Sequence, residues 1–258
     1  MDKVQEKISV LGCGWLGLPL AAHLMAEGFA VKGATRTAEK SQLLQSKGVL
    51  PFLIDIDEES AIDADFFSTD VLVIAIPSKN LSGFERLIAQ ISQTTVKKVI
   101  FISATSVYGA SQDALKETDK TLDTALTRIE QLFVKNDNFN TTILRFGGLY
   151  GPGRNPGNFF KKGRLIPNPE GVVNMIHQED CIAIIHKIIV TGVRNDIFNA
   201  CADTHPTRRK FYTNAKQKLG LDAPDFEEGQ PIVLKEICSE KLKRKLKYSF
   251  KYADILHS

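Results

Sequence analysis

The chain has 258 residues, 43% of them apolar, and a formal net charge of +3. That is ample core material for one large α/β domain or a domain with a small appendage, and too little charge to imply a nucleic-acid partner. No apolar run reaches membrane-spanning length, and Met1-Asp2-Lys3-Val4-Gln5-Glu6 is not expected to be a secretory leader, so a cytoplasmic protein without membrane partners is expected. Cys13, Cys181, Cys201 and Cys238 lack metal-ligand spacing and read as reduced, mostly buried thiols. No metal site is expected. The basic run 235–251 reads as a solvated helical face.

The first predicted strand, 8–11, runs into Gly12-Cys13-Gly14-Trp15-Leu16-Gly17, and a helical pattern follows over 16–27. Strand, G-x-G-x-x-G and helix in this order predict a dinucleotide site. Gly12 permits the tight turn, Gly14 lets backbone approach a pyrophosphate, and Gly17 lets helix pack on strand. Trp15 and Leu16 open the helix whose N-terminus offers N–H groups and partial positive charge to phosphate.

The second strand, 30–34, should end in Asp or Glu if the site selects NAD through the ribose 2′-OH. It ends instead in Thr35-Arg36-Thr37. Arg36 can lay its fork on a 2′-phosphate with a threonine hydroxyl beside it, which predicts NADP over NAD; the alternative is a solvated arginine opening the helix at 38–46.

Further strands are predicted at 49–54, 71–76, 98–102 and 141–145, with helices at 81–91 and 121–134 between them. Ile76, ending the fourth strand, is grouped with the cofactor residues. Alternation of helices with near-continuous apolar strands predicts a doubly wound parallel sheet of Rossmann type. In 121–134, Leu122, Leu126, Ile129 and Phe133 fall on one stripe. After Tyr150 a Gly- and Pro-rich loop begins and the pattern becomes shorter and more polar. The expected division is 1–150 for cofactor binding and 151–258 for a small mixed α/β lobe that completes the sheet and the substrate pocket.

The chain resembles the short-chain dehydrogenase/reductase superfamily in its extended or atypical branch, the NAD(P)-dependent epimerases and dehydratases. The resemblance rests on Gly12, Gly14 and Gly17, on Phe101-Ile102-Ser103-Ala104-Thr105-Ser106-Val107-Tyr108-Gly109, on Leu144-Arg145-Phe146-Gly147-Gly148-Leu149-Tyr150-Gly151-Pro152-Gly153, and on Val173-Asn174-Met175-Ile176-His177-Gln178-Glu179-Asp180. It implies a small-molecule substrate, carbonyl, hydroxyl or nucleotide-linked, and a homodimer. Gly12 to Arg36 with Leu20-Ala21-Ala22-His23-Leu24 and Gly28 also resembles the 3-hydroxyacid dehydrogenases related to 6-phosphogluconate dehydrogenase. Their all-helical second domain is argued against by the loop after Tyr150.

The resemblance implies a Tyr-x-x-x-Lys pair on the 121–134 helix and a Ser or Thr ending the fifth strand. The lysine would hold the nicotinamide ribose and lower the tyrosine pKa for proton exchange. That helix has neither residue: Thr124 falls in the tyrosine slot and Arg128 in the lysine slot. An aliphatic hydroxyl is too weak an acid to replace a phenol, and arginine stays protonated. The hydroxyl slot falls on Ala104 between Ser103 and Thr105. Tyr108 is therefore the first candidate proton donor, and Tyr150, His177 and Arg154 are candidate substrate residues. Packing and backbone hydrogen bonding are the structural alternatives for Tyr108, Tyr150 and His177. Two functions follow: an oxidoreductase, epimerase or dehydratase with a non-standard acid/base set, or a non-catalytic NADP-binding sensor.

Overall fold

The computed structural model describes residues 6–161 and 163–257, so Met1–Gln5, the bulk of the segment expected not to be a leader, lies outside the described residues. The chain opens with β1 (Lys7–Leu11), α1 (Gly17–Ala26), β2 (Ala30–Thr35), α2 (Ala38–Ser46), β3 (Leu50–Leu53) and β4 (Val71–Ile74). It continues through α3 (Leu81–Ser92), β5 (Lys98–Ala104), α4 (Ala125–Val134) and β6 (Asn140–Phe146). The later elements are β7 (Gly148–Tyr150), β8 (Met175–His177), α5 (Gln178–Thr191), β9 (Asp196–Ala200), α6 (Arg208–Lys218) and α7 (Glu240–Leu246).

Seven strands form one sheet in the order β3-β2-β1-β4-β5-β6-β9, and β7 and β8 form a two-stranded parallel sheet. β1 pairs in parallel with both β2 and β4, β2 with β3, and β4 with β5. The strand order reverses at β1, and ligands of open α/β sheets bind at the carboxyl ends of the strands beside such a reversal. β4 is buried at all four positions, as a strand covered on both faces must be.

The described residues divide into two compact units, each discontinuous in sequence: 6–103, 123–144 and 185–197 in the first, and 104–122, 145–161, 163–184 and 198–257 in the second. The first is centred on Phe84, Phe101 and Phe133, with Phe101 and Phe133 stacked at 4.7 Å between ring centroids. In the second, Tyr150, Ile166, Met175 and Phe211 belong to one apolar cluster.

α4 begins four residues later than the apolar stripe predicts. Thr124 is its N-cap: the Thr124 hydroxyl accepts from the Thr127 N–H at 3.2 Å and Thr127 returns a bond to the Thr124 N–H at 2.8 Å. Upstream, the Leu122 N–H donates to the Val107 carbonyl. A threonine that satisfies an orphan helix N–H is worth about 1 kcal/mol, and here the cap overrides the stripe. Leu122, expected on that stripe, is half-exposed and outside the helix.

Candidate functional site: a glycine-turn pocket and a buried polar cluster

A cavity of about 470 Å³ lies at the carboxyl ends of β1, β2, β3 and β4, lined among others by Gly12, Gly14, Arg36, Asp55 and Ile76. Each turn glycine meets a distinct steric demand. Gly12 has φ +101°, and a Cβ there would lie 2.7 Å from the Ala75 carbonyl oxygen. A Cβ on Gly17 would lie 2.2 Å from the Gly12 carbonyl oxygen. A Cβ on Gly14 meets nothing within 4 Å, so the space it would fill is open to a ligand. Leu16 caps α1 without any side-chain hydrogen bond, and the Leu18 N–H donates to the Gly14 carbonyl, so the helix amino end follows directly on the glycine turn. These features fit a dinucleotide pyrophosphate. Trp15 and Leu16 are not among the lining residues, and Leu16 is buried.

At the β2 end, Arg36 projects into solvent with 69% of its side chain exposed, its Nη1 3.7 Å from Asp55 Oδ2. Lys40 joins it on the wall. Thr35 is buried, and the Thr37 hydroxyl accepts from the Lys40 N–H as the cap of α2. The pattern at the end of the second strand carries no sign of Asp55, because that carboxylate arrives from the end of β3. Cys13 lines the pocket as an inert thiol that burial pushes up to about 12.

In the first unit, the Ser103 hydroxyl donates to Glu130 Oε1 at 2.6 Å, with both side chains buried. Nothing in the sequence pointed to Glu130 as the partner of Ser103. Arg128 faces solvent, donating from Nε and Nη2 to the two carboxylate oxygens of Asp123 at 2.8 Å. That pair holds the Asp123 carboxyl below its ordinary range. Thr124 is committed to its cap, so neither helix position expected near the nicotinamide offers a dissociable proton there.

The second unit holds Tyr108 and Thr105, both buried. The Tyr108 hydroxyl donates to Asn199 Oδ1 at 2.9 Å and accepts from Arg145 Nη1 at 2.6 Å. Asn199 in turn donates to the Leu115 carbonyl and, through its backbone, to Glu117 Oε1. Lys235 Nζ donates to the Tyr108 carbonyl. Burial raises the Tyr108 pKa in spite of the Arg145 charge beside it. At 1% exposure, with its hydroxyl engaged on both sides, Tyr108 is placed as a buried strut.

A second cavity, of about 210 Å³, lies within this unit between Tyr150, Asn155, His177, Asn214 and Lys218. Tyr150 meets His177 edge to face at 5.1 Å, and the His177 ring lies 3.7 Å from that of Tyr252. His177 Nδ1 accepts from the Glu179 N–H, and burial holds its pKa below the usual histidine value. Two of the three expected substrate residues therefore meet at one cavity. Arg154 is exposed, its guanidinium 5.9 Å from the Phe159 ring centre, and does not line this cavity. The flanking motif residues act locally: Asn174 binds the backbone at Lys235 and Ile237, and Asp180 accepts from Tyr248, Lys251 and Tyr252.

The family model described as NAD(P)H-binding matches residues 12–181. Protein YeeZ of Escherichia coli strain K12 is 32% identical, over 97% of this chain and 98% of its own. The UDP-glucuronic acid 4-epimerase of Bacillus cereus, solved with UDP-glucuronic acid and NAD, is 18% identical with a TM-score of 0.80 over 97% of this chain and 96% of its own. The dTDP-glucose 4,6-dehydratase of Bacillus anthracis, solved with NAD, is 14% identical with a TM-score of 0.79 over 97% and 94% of the two chains. Among the described residues no helix is long and apolar enough to cross a membrane.

Proposed function

The chain belongs to the NAD(P)H-binding family, and from that premise we propose that it is of the epimerase/dehydratase branch of the short-chain dehydrogenase/reductases, binds NADP and uses it on a small carbonyl or hydroxyl substrate. The observation that carries the reading is the open space at Gly14 beside the amino end of α1, which has no side-chain cap, with Arg36 and Lys40 lining the same cavity. Gly12, Gly14 and the α1 N-terminus would hold the pyrophosphate. Arg36 would take the 2′-phosphate with its guanidinium, drawn away from a distant contact with Asp55. When bound, the nicotinamide would supply hydride transfer. In this reading residues 1–150 serve the cofactor and 151–258 the substrate, with Tyr150 and His177 as the substrate contacts. The nucleotide-sugar enzymes among the fold's neighbours make a nucleotide-linked sugar the first substrate class to try.

A second reading is favoured by a separate observation. Thr124 is a cap, Arg128 is clamped by Asp123, Ser103 donates to Glu130, and the Tyr108 hydroxyl both donates and accepts, so four of the positions assigned to acid/base work are engaged elsewhere. A chain with this inventory suits an NADP-binding sensor. One experiment separates the two: NADPH and NADH are titrated against the protein, and bound NADPH is then followed at 340 nm with carbonyl compounds and nucleotide-linked keto sugars. Hydride loss in a single turnover supports the enzyme, and tight binding without oxidation supports the sensor. Absence of binding by either cofactor removes both.

A further inference from the structure

Three polar residues outside both cavities converge on one point. His23 lies in the last turn of α1 and Glu27 follows as its C-cap, and a spacing of four puts them on one helix face. His186 comes from α5. His23 Nε2 and His186 Nδ1 are 3.0 Å apart, and a Glu27 carboxylate oxygen completes a trio of donor atoms all within 4.8 Å of one another. The imidazoles meet edge to face at 4.9 Å, and the Phe29 ring packs edge-on against His186 at 5.9 Å. Two ring nitrogens facing each other at this distance share one hydrogen, so at least one presents a lone pair to the gap. The carboxyl end of α1 adds partial negative charge.

We propose that His23, Glu27 and His186 form a binding site for a divalent first-row cation of the zinc class, joining α1 to α5. Two imidazole nitrogens and one carboxylate are a donor set that suits Zn²⁺, leaving a coordination position for water. Zinc–nitrogen bonds of about 2.0–2.1 Å at a tetrahedral angle place the nitrogens about 3.3 Å apart, within a few tenths of an ångström of the observed gap, and a turn of the two imidazoles would aim both lone pairs at one ion. Glu27 is exposed, and its side chain can swing to close the third bond. Mg²⁺ and Ca²⁺ prefer shells made of oxygen and do not match this set.

The test uses the full chain stripped with a chelator. Zn²⁺ is titrated calorimetrically beside Mg²⁺, thermal melts are recorded with and without Zn²⁺, and Co²⁺ is added as a spectroscopic stand-in. The expected result is one Zn²⁺ per chain, a raised melting temperature, and intense visible Co²⁺ bands of four- or five-coordination. His23→Gln and His186→Gln should each weaken Zn²⁺ binding at least tenfold while melting as the wild type does without metal. If a variant does not fold, paramagnetic shifts of the His23 and His186 ring protons in Co²⁺-loaded wild type decide the matter. Absence of saturable binding at one per chain, wild-type affinity in both variants, or unshifted His23 and His186 rings overturns the proposal.

Discussion

Arg145 Nη1 lies 2.6 Å from the Tyr108 hydroxyl oxygen, and the guanidinium carbon is 5.0 Å from the centre of the same ring. One buried arginine thus holds both the hydroxyl and the face of a tyrosine. Tyr108→Phe should lower stability by about 1–3 kcal/mol, because Asn199 and Arg145 lose a partner in a place water does not reach. NADPH affinity should stay within about twofold. Urea unfolding and a cofactor titration check both, and a 10²- to 10⁴-fold fall in kcat at unchanged stability would instead mark Tyr108 as the proton donor.

At the cofactor pocket, Arg36→Ala should weaken NADPH by about 1.5–3 kcal/mol, roughly 10- to 150-fold, and leave NADH nearly untouched. Asp55→Asn acts with the opposite sign. It removes the carboxylate that faces Arg36 and should tighten NADPH severalfold. Fluorescence titrations of both cofactors against both variants measure this, and equal affinities for NADPH and NADH in the wild type would remove the case for NADP.

Gly14 and Gly17 should respond differently to an added side chain. Gly14→Val meets no protein atom at its Cβ and should keep the wild-type melting temperature while losing cofactor binding. Gly17→Ala forces a methyl against the Gly12 carbonyl and should destabilise the fold itself. Thermal melts run with and without NADPH distinguish the two outcomes.

The depressed pKa of His177 links folding to pH. A histidine whose folded pKa lies below its unfolded value of about 6.5 binds fewer protons folded than unfolded. Its contribution is complete above that value and is lost as pH falls through the interval below it. Stability should therefore decline from pH 7 toward pH 5, and His177→Gln should flatten the decline.

Much of the fold was legible because it follows from local pattern. The glycine turn, the apolar strands and the helix over 38–46 each carry their signal within a few residues. The start of α4 was misread for an identifiable reason. Leu122, Leu126, Ile129 and Phe133 share a helical spacing, yet Leu122 has its N–H on Val107, and only the threonine cap fixes where the helix begins. The pairs that were missed join distant parts of the chain. Glu130 meets Ser103, Asn199 meets Tyr108, and His186 meets His23 across 163 residues. Neither period nor spacing encodes such partners.

The cap at Thr124 also bears on how this scaffold could be re-engineered. Placing a tyrosine at 124 and a lysine at 128, to rebuild the family's pair, would remove the cap hydroxyl and replace the two-pronged grip on Asp123 in one stroke. Losing such a cap costs about 1 kcal/mol, and a phenol at an N-cap position has extended backbone instead of the helical backbone the pair assumes. Two substitutions would therefore yield a looser helix with a misdirected phenol. Building that pair here would first need the helix lengthened by a turn at its amino end.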